Sequence, residues 1–171
     1  PELGQLTKLG RLFLYNSPIL SGTIPSQLGQ LTSVTGLYLY SNPRISGTIP
    51  SELGGLLSLT DLNIYTNSML SGTLPSELNN LSNMDTLDLH GNIVLSGSLP
   101  DLADATRLQL LDAGNCSLSG LPTALSPSVT HLYLNNNPLV STTTELSALL
   151  GSMPALHVLD LGFSNSPIVL E

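Results

Sequence analysis

A period of 25 residues governs this chain. The stretch 59–78 carries apolar residues at Leu59, Leu62, Ile64 and Leu70, asparagine at Asn67, and Ser71-Gly72 ahead of Leu74-Pro75. One period earlier the same positions hold Val34, Leu37, Leu39, Ile45, Asn42, Ser46-Gly47 and Ile49-Pro50. One period later they hold Met84, Leu87, Leu89, Leu95, Asn92, Ser96-Gly97 and Leu99-Pro100. A unit this short cannot bury its apolar face alone, so the repeat predicts stacked coils that share one continuous core.

The strand of each coil is read from alternation. Its central leucine falls at Leu12, Leu37, Leu62, Leu87, Leu111, Leu132 and Leu159, with spacings of 25, 25, 25, 24, 21 and 27. Leucines one residue apart point inward and their neighbours outward, so stacked coils set these short strands side by side as a parallel sheet. The small polar position that follows holds Ser17, Asn42, Asn67, Asn92, Cys116, Asn137 and Ser164. Turned inward, such a side chain can satisfy backbone groups of adjacent coils that would otherwise be buried unpaired. Asn42, Asn67, Asn92, Cys116 and Asn137 are therefore expected to form a structural ladder. After the ladder, Ser-Gly bends the chain and a proline fixes φ ahead of short helical turns begun by Leu28, Leu53 and Leu78.

The pattern L-x-x-L-x-L-x-x-N followed by L-S-G-x-[IL]-P resembles the leucine-rich repeat, in particular its plant-type subclass. The resemblance implies an α/β solenoid. This is a right-handed superhelix with a concave parallel β-sheet of about seven short strands and short helical turns on its convex side. It spans residues 1–171 as a single array, regular to about residue 107 and irregular over 108–171. In the irregular part, Ser126-Pro127-Ser128 closes a coil too short for a turn of helix, and Thr142 with Glu145 predicts a capping box opening a helix to Gly151. The chain begins and ends inside repeats without the cysteine-bearing caps common in similar proteins. It is therefore expected to be a segment of a longer protein, with Leu3, Leu6, Ile168 and Val169 exposed at its ends and available for self-association.

Outward strand positions form lanes across the sheet. One lane reads Phe13, Tyr38, Asn63, Asp88, Asp112, Tyr133 and Asp160; the next reads Tyr15, Tyr40, Tyr65, His90, Gly114, Asn135 and Gly162. All five tyrosines lie in these two lanes of a chain that contains no tryptophan. Tyrosine offers a flat apolar ring with a polar tip, suited to partners, whereas neighbouring rings in one lane can instead stack and stiffen the sheet. The candidate surface is Phe13, Tyr15, Tyr38, Tyr40, Asp61, Tyr65, Asp88, His90, Asp112 and Tyr133.

Charge and motif content narrow the function classes. A formal net charge of −8, with only Lys8, Arg11, Arg44 and Arg107 basic, leaves no stripe for phosphates, so nucleic acid is not an expected partner. No apolar run reaches the length of a membrane span. Asp88, Asp112 and Asp160 share a lane, with Asp61 and His90 close by, and a carboxylate pair plus His invites a metal or acid–base reading, but L-D-L is itself a common form of the repeat and an open sheet does little to tune pKa values. The expectation is thus a solvated acidic patch, no catalytic residue, no metal and no cofactor. Two sequons occur, at Asn80 on a convex turn and at Asn115 beside the ladder, the former better placed for a glycan.

The resemblance further implies extracellular or cell-surface recognition, as in ectodomains of receptor-like kinases and in polygalacturonase-inhibiting proteins. The expected partner is a protein or peptide, with carbohydrate as an alternative, bound on the concave sheet. A second reading is a structural spacer or self-assembling surface or matrix protein. A remote third, ice binding, rests on the repeated Ser-Gly-Thr segments at 21–23, 46–48 and 71–73.

Overall fold

A computed structural model describes residues 2–162. In chain order its strands are β1 (Arg11–Phe13), β2 (Ser21–Thr23), β3 (Gly36–Tyr38), β4 (Arg44–Gly47), β5 (Asp61–Asn63), β6 (Met69–Gly72), β7 (Thr86–Asp88), β8 (Val94–Ser98), β9 (Leu110–Asp112), β10 (Ser117–Gly120), β11 (His131–Tyr133) and β12 (Val158–Asp160). They form two all-parallel sheets. The larger runs β1-β3-β5-β7-β9-β11-β12, one strand per coil, as the alternation predicts. Its register sets Leu12, Leu37, Leu62, Leu87, Leu111, Leu132 and Leu159 in one row.

The second sheet, β2-β4-β6-β8-β10, was not expected from the sequence. It is built from the Ser-Gly segments, whose local propensity favours turns, and its strands exist because each coil pairs with the next. Short 3-10 turns at Ser26–Gln30, Ser51–Gly55 and Ser76–Asn80 complete the regular coils, each preceded by an extended proline at Pro25, Pro50 or Pro75. Neighbouring turns approach closely. A Cβ on Gly54 would collide with the Glu77 carbonyl, so this position needs glycine. The next coil places Asn79 there, where its amide bridges to the backbone N–H and carboxylate of Asp104.

The core consists of columns that repeat every coil: Leu28, Leu53 and Leu78; Leu31, Leu56 and Leu81; Leu39, Ile64 and Leu89; Ile45, Leu70 and Leu95, all buried. Leu159 departs from expectation at 39% exposed; among the described residues its strand β12 pairs with β11 alone. Leu3 and Leu6 are exposed, as anticipated; Ser164, Ile168 and Val169 lie outside the described residues. In the irregular part the short coil has no helix. Asp101 closes it instead, accepting from the Thr123 and Ala124 backbone N–H groups and the Thr123 hydroxyl. Helix α1 (Thr143–Gly151) opens with the predicted capping box, Thr142 and Glu145 each bonding the other's backbone N–H.

The inward ladder forms as read. Asn42, Asn67 and Asn92 are fully buried; each donates to the carbonyl three residues earlier in its own coil and to the equivalent carbonyl of the preceding coil. Their side-chain oxygens accept from the backbone N–H of Ser17, Asn42 and Asn67. Asn137 keeps the two donor contacts, but its oxygen accepts from Leu118 N–H rather than Cys116 N–H, following the shorter coil. Cys116 substitutes for an asparagine, its thiol directed at the Leu89 carbonyl 3.4 Å away. Burial pushes this thiol up to about 11. At pH 8 only about one part in a thousand would be thiolate, the reactive form. The folded chain is therefore expected to resist a thiol-titrating disulfide reagent at pH 8 and to react with one equivalent in denaturant. Fast labelling of the folded chain would refute this.

Candidate functional site

The outward face of the larger sheet gathers most of the aromatic side chains, and it orients them. Tyr15, Tyr40, Tyr65 and His90 form one continuous stack, with ring centroids 4.5, 4.4 and 4.8 Å apart and planes within 8°, 7° and 12° of parallel. That rise matches the spacing of neighbouring strands, so strand pairing itself sets the rings in contact. Phe13 and Tyr38 stack beside them at 4.7 Å and 11°, and Phe13 meets Tyr15 edge-on at 6.2 Å. The stacking alternative is thus realised, and it changes what a partner meets. Inside the stack the ring faces cover one another, so edges and hydroxyls are what remain for contact.

Acidic groups border the stack. Asp61 accepts from the Thr60 hydroxyl at 2.7 Å and lies beside Tyr38. The phenols of Tyr38 and Tyr65 are held above their ordinary value, in each case first by burial, with Asp61 adding to Tyr38 and with Tyr40 and Asp88 adding to Tyr65. Both therefore present neutral hydroxyls at physiological pH. Asp88 Oδ1 receives the His90 backbone N–H at 3.2 Å and faces His90 Nδ1 at 2.9 Å. Asp112 Oδ2 lies 4.0 Å from the same nitrogen, while its Oδ1 accepts from Gly114 N–H at 2.9 Å. Burial raises the Asp112 carboxyl above its usual range against the Gly114 bond, with Asp88 adding to the rise.

Tyr133 stands apart from the stack; its ring contact is His131, at 6.4 Å. The sequence pointed to the lanes but not to the role of Gly114 and Asn135 beside Asp112. With no side chain at Gly114, the Asn135 amide oxygen occupies the place a Cβ would take. Of the sequons, Asn80 is exposed at the end of its 3-10 turn, whereas Asn115 is held in a left-handed turn with its amide oxygen accepting from Asn136. Among the described residues no helix is long and apolar enough to cross a membrane.

The chain matches a family model described as a leucine-rich repeat region over residues 1–169. No curated protein matches it at a significant level. Among solved structures, the plant peptide hormone receptor RGFR1 in complex with RGF2 superimposes with a TM-score of 0.74 at 27% identity, covering 96% of this chain and 34% of the receptor. The receptor kinase HAESA from Arabidopsis, in complex with the peptide hormone IDA and the co-receptor SERK1, gives 0.67 at 28% identity, covering 94% and 30%. The BIR2 ectodomain from Arabidopsis thaliana gives 0.63 at 34% identity, covering 74% and 66%. The chain thus spans about a third of the two peptide receptors. With its coil-by-coil sheet, buried asparagine ladder and family match over residues 1–169, this chain belongs to the leucine-rich repeat family.

Proposed function

We propose that this chain is an extracellular or cell-surface recognition module, not an enzyme, that binds an extended peptide or protein segment across the concave face of its larger sheet. The observation that carries the reading is the stack Tyr15–Tyr40–Tyr65–His90, flanked by Phe13–Tyr38 and bordered by Asp61, Asp88 and Asp112. Ring edges and neutral hydroxyls suit the polar backbone and side chains of an extended chain, and the acidic border favours one with a basic group. Carbohydrate is less well served, because sugar rings dock on aromatic faces and the stack covers those. Similar structures binding peptide hormones support a peptide partner. Under the same reading Asn80 is a glycan acceptor. Chain secreted from a eukaryotic host should lose mass on enzymatic deglycosylation, and Asn80→Gln should abolish that loss; an unchanged mass would refute it.

The test is selection from a random peptide library, followed by affinity and melting measurements on four variants. Tyr40→Ala and Tyr65→Ala should each weaken the selected peptides by on the order of 1–2 kcal/mol. Both should also lower the melting temperature, since each removes two ring contacts worth about 0.5–1.5 kcal/mol apiece. Tyr40→Phe keeps the stack, so any affinity lost with an unchanged melt isolates the hydroxyl. Asp88→Asn should chiefly slow association, with an effect that shrinks at high salt. Peptides unaffected by either alanine variant would overturn the proposed surface. A chain that selects none and forms concentration-dependent oligomers would favour the spacer reading.

A further inference from the structure

We propose that Asp88, His90 and Asp112 form a site for one divalent transition-metal ion of the zinc class, against the expectation from sequence of a merely solvated acidic patch. The three ligand atoms lie within 4.8 Å of one another. His90 Nδ1 is 2.9 Å from Asp88 Oδ1 and 4.0 Å from Asp112 Oδ2. Nitrogen and oxygen donors bound about 2.1 Å from a tetrahedral ion lie about 3.4 Å apart. The two separations straddle that value, so an ion between the imidazole and the two carboxylates calls for side-chain shifts of about half an ångström.

The donors are held on rigid elements. Asp88 and Asp112 end neighbouring strands in register, and each carboxylate is steadied by a backbone N–H, from His90 and Gly114 respectively. The imidazole is fixed in plane by stacking on Tyr65. Such support is what a ligand set requires of its surroundings. The arrangement also gathers two carboxylates in a half-buried place, and among the described residues no lysine or arginine pairs with either. A divalent ion would supply the missing positive charge. One imidazole with two carboxylates selects a borderline ion over calcium or magnesium, which favour all-oxygen shells. The Asn135 amide oxygen and Asp112 Oδ1 both lie beside Gly114.

This inference does not depend on peptide binding, and its test uses the metal alone. Tag-free chain stripped with chelator is titrated calorimetrically with zinc chloride, alongside His90→Gln, Asp112→Asn and His131→Gln. The expected result is one saturable equivalent, weakened at least tenfold in His90→Gln and in Asp112→Asn and unchanged in His131→Gln, with no saturation by calcium or magnesium. Because the chain has no tryptophan, tyrosine emission is a second readout. Copper(II) should quench Tyr65 at the same stoichiometry, and less so in His90→Gln. Asp112→Asn retains an acceptor for Gly114 N–H, so it should melt like the parent and decides the matter if His90→Gln unfolds. Absence of a saturable event, binding indifferent to Asp112→Asn, or loss in His131→Gln instead would overturn the site.

Discussion

Asn67→Ala is expected to destabilise the chain by about 3 kcal/mol, although no charge and little volume change. Asn67 is fully buried and donates to the carbonyls of Ile64 at 2.6 Å and Leu39 at 3.1 Å. Neither carbonyl would be stranded, because Leu39 also accepts from Asn42 and Ile64 also accepts from Asn92. The group left alone is the Asn42 backbone N–H, which now donates to Asn67 Oδ1 at 2.9 Å inside the core. An unsatisfied buried N–H costs about 1–3 kcal/mol, and the vacated volume and lost donor bonds account for the remainder. Two companions separate hydrogen bonding from volume. Asn67→Asp matches the shape but turns an oxygen toward two carbonyl oxygens, so it should cost more than alanine. Asn67→Cys should cost less, because Cys116 already fills this place with a weak donor to Leu89. Urea unfolding of the three variants checks the order, and an aspartate milder than alanine would contradict the ladder's hydrogen-bonding role.

This ladder was legible in the sequence because the period superimposes its members: one small polar residue at a fixed distance after each L-x-L, with nowhere to point but inward. The central leucines were legible for the same reason. The β2–β10 sheet was not, since in Ser21-Gly22-Thr23 only the threonine favours a strand, and the segment is extended because Arg44–Ser46 pairs with it. Nor could exposure at Leu159 be read from a motif that treats every coil alike. The lanes of Tyr15, Tyr40 and Tyr65 followed from alternation, but whether their rings would lie face to face depends on side-chain rotation, which periodicity does not encode. Likewise the Asp88–Asp112 neighbourhood needed the register of β7 on β9, which holds across a 24-residue step where the regular period has ended.

Leu62→Ala is expected to have the largest effect on the fold, toward the upper part of the about 2–5 kcal/mol found for buried leucines. Leu62 is 0% exposed and sits in register between Leu37 and Leu87. In a solenoid, stability is close to a sum of coil terms and nearest-neighbour interfaces. A cavity at Leu62 therefore weakens two interfaces at once, with intact coils on both sides to keep it from collapsing. Leu12 is the matching residue of β1, 8% exposed and flanked on one side only by a described strand, that of Leu37. Its replacement by alanine should cost roughly half as much, since only one interface is loosened. The two variants should also differ in how they unfold. Loss at Leu12 should leave a single transition at lower urea, whereas loss at Leu62 divides the array and should lower cooperativity, seen as a smaller dependence of stability on urea. Equal costs at the two positions, with the urea dependence unchanged in both, would mean that the chain behaves as one globular core, not as stacked coils.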